Sequence, residues 1–169
     1  MVFIRTKRFS SQLYGYVVEN TWTPRGPRQK VTQYLGKITL QPPVTARPFP
    51  NVDIGRLSYP DALRAVLIWN LLQIEFKAQQ GSSAHLYEWN KITADTLLFT
   101  LKHADGKDAI IKRDEGYLCT IGFQHLVNFT MEENEEKTGY AFARAFVDAG
   151  LDVPRDVFVR IFEKIWRDI

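Results

Sequence analysis

At 169 residues, with 45% hydrophobic, 13% aromatic and 24% charged side chains, the chain has ordinary globular composition and enough apolar mass for a real core. Its apolar runs are too short for a membrane helix, the basic start Met1 to Arg8 has no signal-peptide stretch behind it, and a lone Cys119 excludes an internal disulfide or a thiolate zinc cage. The net charge of +3 conceals an asymmetry: residues 1–50 hold eight basic side chains against Glu19 alone, and the remainder holds 14 basic against 18 acidic.

Three β-like runs open the chain, Val2 to Phe9, Leu13 to Asn20 and Gln29 to Leu35, each rich in β-branched or aromatic residues and bounded by Ser, Pro or Gly. They read as an antiparallel meander. Alternation in the first puts Phe3, Arg5, Lys7 and Phe9 on one side and Val2, Ile4, Thr6 and Arg8 on the other, so one side mixes cations with rings. Thr21 to Arg28 is rich in turn formers and is expected to be an exposed hairpin tip carrying Trp22, Arg25 and Arg28. Prolines 42, 43, 48 and 50 then favour an extended connector over 41–57, or a strap packed on the remainder through Val44 and Phe49.

Helix signals dominate beyond the connector. Ser58 is placed to cap a helix with Pro60 and Asp61 in its first turn, and apolar residues surround most of the circumference of Ala62 to Phe76, as in a central core helix. A second helix is predicted from about Ala84 to His103 on the spacing of Leu86, Trp89, Ile92, Leu97, Leu98 and Leu101. A hairpin is predicted near 109–129 around Asp114-Glu115-Gly116, with a third strand considered over Phe123 to Phe129. The acidic run Met131 to Lys137 reads as a solvated loop or helix start. Two helices close the chain, Thr138 to Ala149 with Gly150 as its cap, and one beginning after Asp152 whose Phe158, Ile161, Phe162, Ile165 and Trp166 form one apolar face for the core or for a second copy. The expected fold class is α+β: a small antiparallel N-terminal sheet over residues 1–40, the connector, and a mostly helical part over 58–169 with a hairpin.

The catalytic inventory is thin. His85, His103 and His125 have no zinc-ligand spacing, there is no phosphate loop or dinucleotide fingerprint, and the acids Asp53, Asp61, Glu75, Glu88 and Asp95 are dispersed. No cofactor, metal or catalytic residue is therefore assigned. The basic segment is the exception, because clustered cations raise the local concentration of a polyanion. Arg5, Lys7, Arg8, Arg25, Arg28, Lys30 and Lys37 are the candidate phosphate contacts, and Trp22 and Tyr34 the candidate stacking rings, with Tyr14 and Tyr16 equally readable as cross-strand packing.

Val17-Val18-Glu19-Asn20, the basic turn, Arg28-Gln29-Lys30-Val31 and Tyr34-Leu35-Gly36-Lys37 together resemble the N-terminal β module of archaeal and bacterial insertion-sequence transposases. The resemblance covers about the first 38 residues. It implies a DNA-contacting module without transposition chemistry, since the chain beyond Lys37 is too short for the large ribonuclease-H-like domain of those enzymes. The reading is a non-enzymatic, cytoplasmic nucleic-acid-binding protein, favouring DNA over RNA, without membrane contact and with the C-terminal helix available for homo-oligomerisation. Its rivals are a protein-interaction module using that helix and a metal-dependent nuclease or hydrolase.

Overall fold

The computed structural model describes residues 2–81, 85–131 and 134–167. Strand alternation at the start of the chain produces β1 (Val2–Phe9), β2 (Gln12–Thr23) and β3 (Gly26–Leu40), paired antiparallel in sequence order. The β2–β3 turn is set by its residues: Pro24 fixes φ on entry, Arg25 N donates to Thr23 Oγ1, and Gly26 closes the turn at φ +99°, which a side chain would resist. The strands therefore run further into the connection than the turn-forming composition implies, and Trp22 sits in β2, opposite Pro27 of β3.

The N-terminal strands do not form a sheet of their own. Ile38 to Leu40 of β3 pair in parallel with β8 (Ile110–Arg113), which pairs antiparallel with β9 (Gly116–Cys119), giving the five-stranded order β1-β2-β3-β8-β9. Ile110 and Ile111 are both fully buried because β8 has core on each side. Ile110 joins Val17, Leu35, Ile38 and Cys119, while Ile111 joins the larger core around α1 (Tyr59–Gln73).

The α1 helix is capped as its sequence requires, with Ser58 Oγ accepting from Asp61 N at 3.2 Å. Ala62, Leu63, Val66, Leu67 and Leu71 are buried along it. The proline-rich segment crosses this helix as a strap: Trp69 Nε1 donates to Arg47 O, Thr45 N donates to Gln73 O, and the Phe49 and Trp69 rings meet edge to face at 5.4 Å. Val44, by contrast, is exposed. A short 3-10 turn, Ile54–Arg56, leads from the strap into α1.

The helix predicted over 84–103 is not formed. Ala84 lies outside the described residues, and the rest folds as β5 (Leu86–Trp89), β6 (Ile92–Asp95) and β7 (Thr100–His103), which with β4 (Lys77–Ala78) make a second antiparallel sheet. The reason is local. Asn90 and Lys91 both take positive φ, 46° and 62°, the signature of a tight hairpin, and the flanking Tyr87, Trp89, Ile92 and Thr93 are β-formers. Apolar residues three and four apart were produced by two strands meeting at a turn. The third strand considered over 123–129 is likewise replaced, by α2 (Thr120–Val127), whose Phe123 and Leu126 are buried one turn apart. The part beyond residue 58 is thus not mostly helical: six strands accompany its four α-helices among the described residues, and the fold is a mixed α+β arrangement.

The chain closes with α3 (Glu135–Asp148), capped by Asn134, and α4 (Arg155–Arg167). Val157 and Ile161 of α4 are buried in the main core, and Phe158, Phe162 and Ile165 pack against it. Most of this apolar face thus packs within the chain, while Trp166 stays 38% exposed. Glu132 and Glu133 of the acidic run lie outside the described residues.

Candidate nucleic-acid interface

The two sides of the β1–β3 sheet are built from different residues. Ile4, Leu13, Val17 and Leu35 face inward onto Ile38, Ile110 and Cys119. Opposite residues of an antiparallel pair share a side, so the register Lys7↔Tyr14 and Arg5↔Tyr16 on β1–β2, and Tyr14↔Lys37, Tyr16↔Tyr34 and Asn20↔Gln29 on β2–β3, collects these side chains on the outward face.

Contacts confirm this grouping. Phe9 meets Tyr14 edge to face at 5.7 Å, Tyr14 stacks on Tyr34 at 6.3 Å, and Tyr16 lies 5.2 Å from Tyr34. Lys7 Nζ sits 5.4 Å over the Tyr16 ring, and Arg5 Nη1 donates to Gln29 Oε1 at 2.7 Å. Four rings and three cations, Arg5, Lys7 and Lys37, thus lie on one face, where Tyr34 is itself 57% exposed. Desolvation, then the neighbouring Tyr16 and Tyr14, raises the Tyr34 hydroxyl above its ordinary value.

Two irregularities in β3 make this face possible. The register skips Leu35 between Gly36 and Tyr34, and Thr32 between Gln33 and Val31, so β3 carries an extra residue at each place. Tyr34 and Lys37 are three positions apart, and strict alternation would set them on opposite sides. The bulge at Leu35 returns Lys37 to the tyrosine side while keeping Leu35 in the core.

The structure therefore divides the residues named from sequence. Arg5, Lys7, Tyr34 and Lys37 are brought together. Trp22 belongs to the same side by alternation but stands further out, on a two-stranded ribbon that continues beyond Glu19, the last β2 residue paired with β1 among the described residues; it is 85% exposed. Arg25 occupies the ribbon's tip. Arg8, Arg28 and Lys30 alternate to the opposite side, where Lys30 pairs in register with Glu19, the sole acid of the first 50 residues. The outer face consequently contains no carboxylate. Sequence reasoning had left Tyr14 and Tyr16 undecided between packing and binding and gave no role to Gln29. The signal that finds the two tyrosines is the run of alternate positions Tyr14, Tyr16, Val18, Asn20 and Trp22 in β2, of which Val18 is buried.

Cys119 is buried, its thiol pushed up to about 11 by desolvation, which disfavours the thiolate a nucleophile needs. Among the described residues no group of three or more His, Cys, Asp or Glu side chains converges to hold a metal ion. The most elaborate polar cluster is internal: Arg113, 1% exposed, donates from Nη1 to Asn70 Oδ1 at 2.5 Å and from Nη2 to Asp152 Oδ2 at 2.6 Å, while Asn70 Nδ2 donates to Val66 O and Asp152 O. It ties β8, α1 and the α3–α4 link together. No helix among the described residues is long and apolar enough to cross a membrane. Compared with protein-family models, curated proteins and solved structures, this chain matches none.

Proposed function

We propose that the outer face of the β1–β3 sheet binds nucleic acid, DNA in preference to RNA, as a non-enzymatic module of a cytoplasmic protein. The observation that carries this reading is the cluster of Tyr14, Tyr16, Tyr34 and Phe9 interleaved with Arg5, Lys7 and Lys37 on one acid-free, solvent-facing side. Rings of this kind stack on unpaired bases whatever their sequence, and the cations between them neutralise the phosphates that link those bases. Single-stranded segments are thus the favoured ligand. The projecting ribbon with Trp22 and Arg25 extends the contact, and the similarity of residues 1–38 to the N-terminal module of insertion-sequence transposases supports the choice of DNA.

The test is fluorescence anisotropy with labelled single-stranded and duplex DNA and RNA at several salt concentrations. Single-stranded DNA binds most tightly, and affinity falls steeply with salt because bound cations displace counterions. In Arg5→Ala/Lys7→Ala the dependence of log affinity on log salt becomes shallower by about 1.4, the share of two phosphate contacts on a single strand. Salt-independent binding, or an unchanged slope in the double variant, removes the reading.

A further inference from the structure

Arg8 is directed away from the outer face by alternation, yet it is not a stray surface charge. A cleft of about 460 Å³ opens where the β1–β2 turn and the end of β3 meet the Asn90-Lys91 turn and the end of β7. Arg8, Ser11 and Gln12 line it from the first two strands, Lys37 from the third, and Asn90 and His103 from the second sheet. Its polar lining consists of cations, hydroxyls, amides and one imidazole, without a single carboxylate. The acid nearest in sequence to His103, Asp105, is engaged by Lys107 at 2.9 Å. Among the described residues Arg8 and Lys37 both line this concave space, which their strands reach from opposite sides of the sheet, and neither makes an ion pair.

That combination asks for an anion. A phosphomonoester is a dianion near neutrality with three acceptor oxygens, which matches two cations supplemented by hydroxyl and amide donors better than an internal phosphodiester with its single charge. The volume lies within the range of small-molecule sites and suits one nucleotide unit. Position adds the second argument. Gln12 is the register partner of Phe9, and Lys37 that of Tyr14, so the cleft begins where the aromatic face ends.

We propose that this cleft binds a terminal phosphate, the phosphorylated end of a nucleotide strand whose adjoining bases stack along the outer face. The proposal rests on the nucleic-acid reading of that face for its choice of ligand; the two sites share Lys37 at their boundary, and the cleft adds Arg8, Asn90 and His103. It gives Arg8, Asn90 and His103 a role and makes the protein a reader of strand ends, not of continuous strand alone.

The test uses the full chain and one short single-stranded DNA, internally labelled, bearing a 5′-phosphate, a 3′-phosphate or hydroxyls at both ends. Anisotropy titrations compare wild type with Arg8→Gln/His103→Gln, and calorimetry measures AMP and inorganic phosphate binding directly. One phosphorylated form binds wild type about tenfold more tightly than the hydroxyl form, the scale of one or two charge-assisted hydrogen bonds, and AMP abolishes the difference. In the double variant, checked for native folding by its thermal transition, the ratio falls to one, whereas a ratio that stays near ten there overturns the assignment of these residues. Equal affinities for all three strands in wild type, with no AMP or phosphate binding, overturn the cleft while leaving the outer face standing. Absence of any strand binding, with AMP bound by wild type and lost in the variant, upholds the cleft for a free mononucleotide and removes the outer-face reading.

Discussion

Arg113 and Arg5 make the same bond in two settings. Each donates a terminal guanidinium N–H to a side-chain amide oxygen, Arg113 to Asn70 at 2.5 Å in the interior and Arg5 to Gln29 at 2.7 Å on the outer sheet face. In the interior the fold supplies a second partner: Asp152 takes an N–H from Nη2, and Asp152 N in turn donates to Asn70 Oδ1, while Nε is buried without a hydrogen bond. That arginine is committed, because removing its partners would strand a desolvated charge. Arg5 is exposed and, among the described residues, pairs with no carboxylate, so its charge is open to an external anion. Cations of equal chemistry thus divide into structural and functional ones according to whether the chain buries them and supplies a carboxylate.

This contrast can be broken hardest at Gly116, the register partner of Arg113. A Cβ there would fall 1.8 Å from Val147 O of α3, a contact with backbone that no side-chain rotation relieves. Gly116→Ala is expected to cost about 4 kcal/mol or more, or to prevent folding, as read by urea denaturation. Arg113→Ala comes next. It leaves Asn70 Oδ1 with Asp152 N as its one remaining donor and opens a cavity, but the Asp152 carboxylate is 58% exposed and can regain water, which sets the loss near the lower end of broken buried pairs, about 3 kcal/mol. Arg5→Ala should change stability by less than about 0.5 kcal/mol in the same experiment. A comparable loss from both arginines would erase the distinction.

Affinity sharpens it from the other side. Tyr34→Ala should weaken single-stranded DNA binding by about 1–3 kcal/mol, the value of one stacked base, measured by anisotropy. Arg113→Lys, if folded, should bind as the wild type does. A further effect is seen only in alkali. The Cys119 thiol is raised from 9.0 to about 11 by burial, so the unfolded chain loses this proton first as pH rises. Above pH 9 the unfolded state therefore holds fewer protons than the native one, and stability falls by at most about 1.4 kcal/mol per pH unit until the native thiol also ionises. Denaturation curves of wild type and Cys119→Ala should converge in slope against pH below 9 and separate above it.

Where local chemistry decides an outcome, it was readable along the chain. β1 and α1 were expected within a few residues of their observed bounds, since alternation and a Ser-Pro-Asp start are properties of contiguous residues. The 84–103 segment was not, because the deciding feature, two residues at positive φ, is a weak preference of Asn and Lys that pairing in a sheet enforces. The same limit applies to the interface. An excess of cations near the N-terminus was visible as composition, but not which of them share a side.

By itself the sequence determined the β-strand character of its first 40 residues, the concentration of positive charge there, the core helix with its cap, and the absence of recognisable catalytic spacing. Only the tertiary structure decided that β3 pairs with β8, so that the N-terminal strands belong to a sheet shared with the rest of the chain. It also decided that the bulge at Leu35 sets Lys37 beside the tyrosines, and that Arg8, His103 and Asn90 line one cleft between two sheets. Periodicity specifies the side of a strand through neighbours in sequence, whereas register, bulges and sheet packing depend on partners far along the chain, and no local pattern encodes those distances.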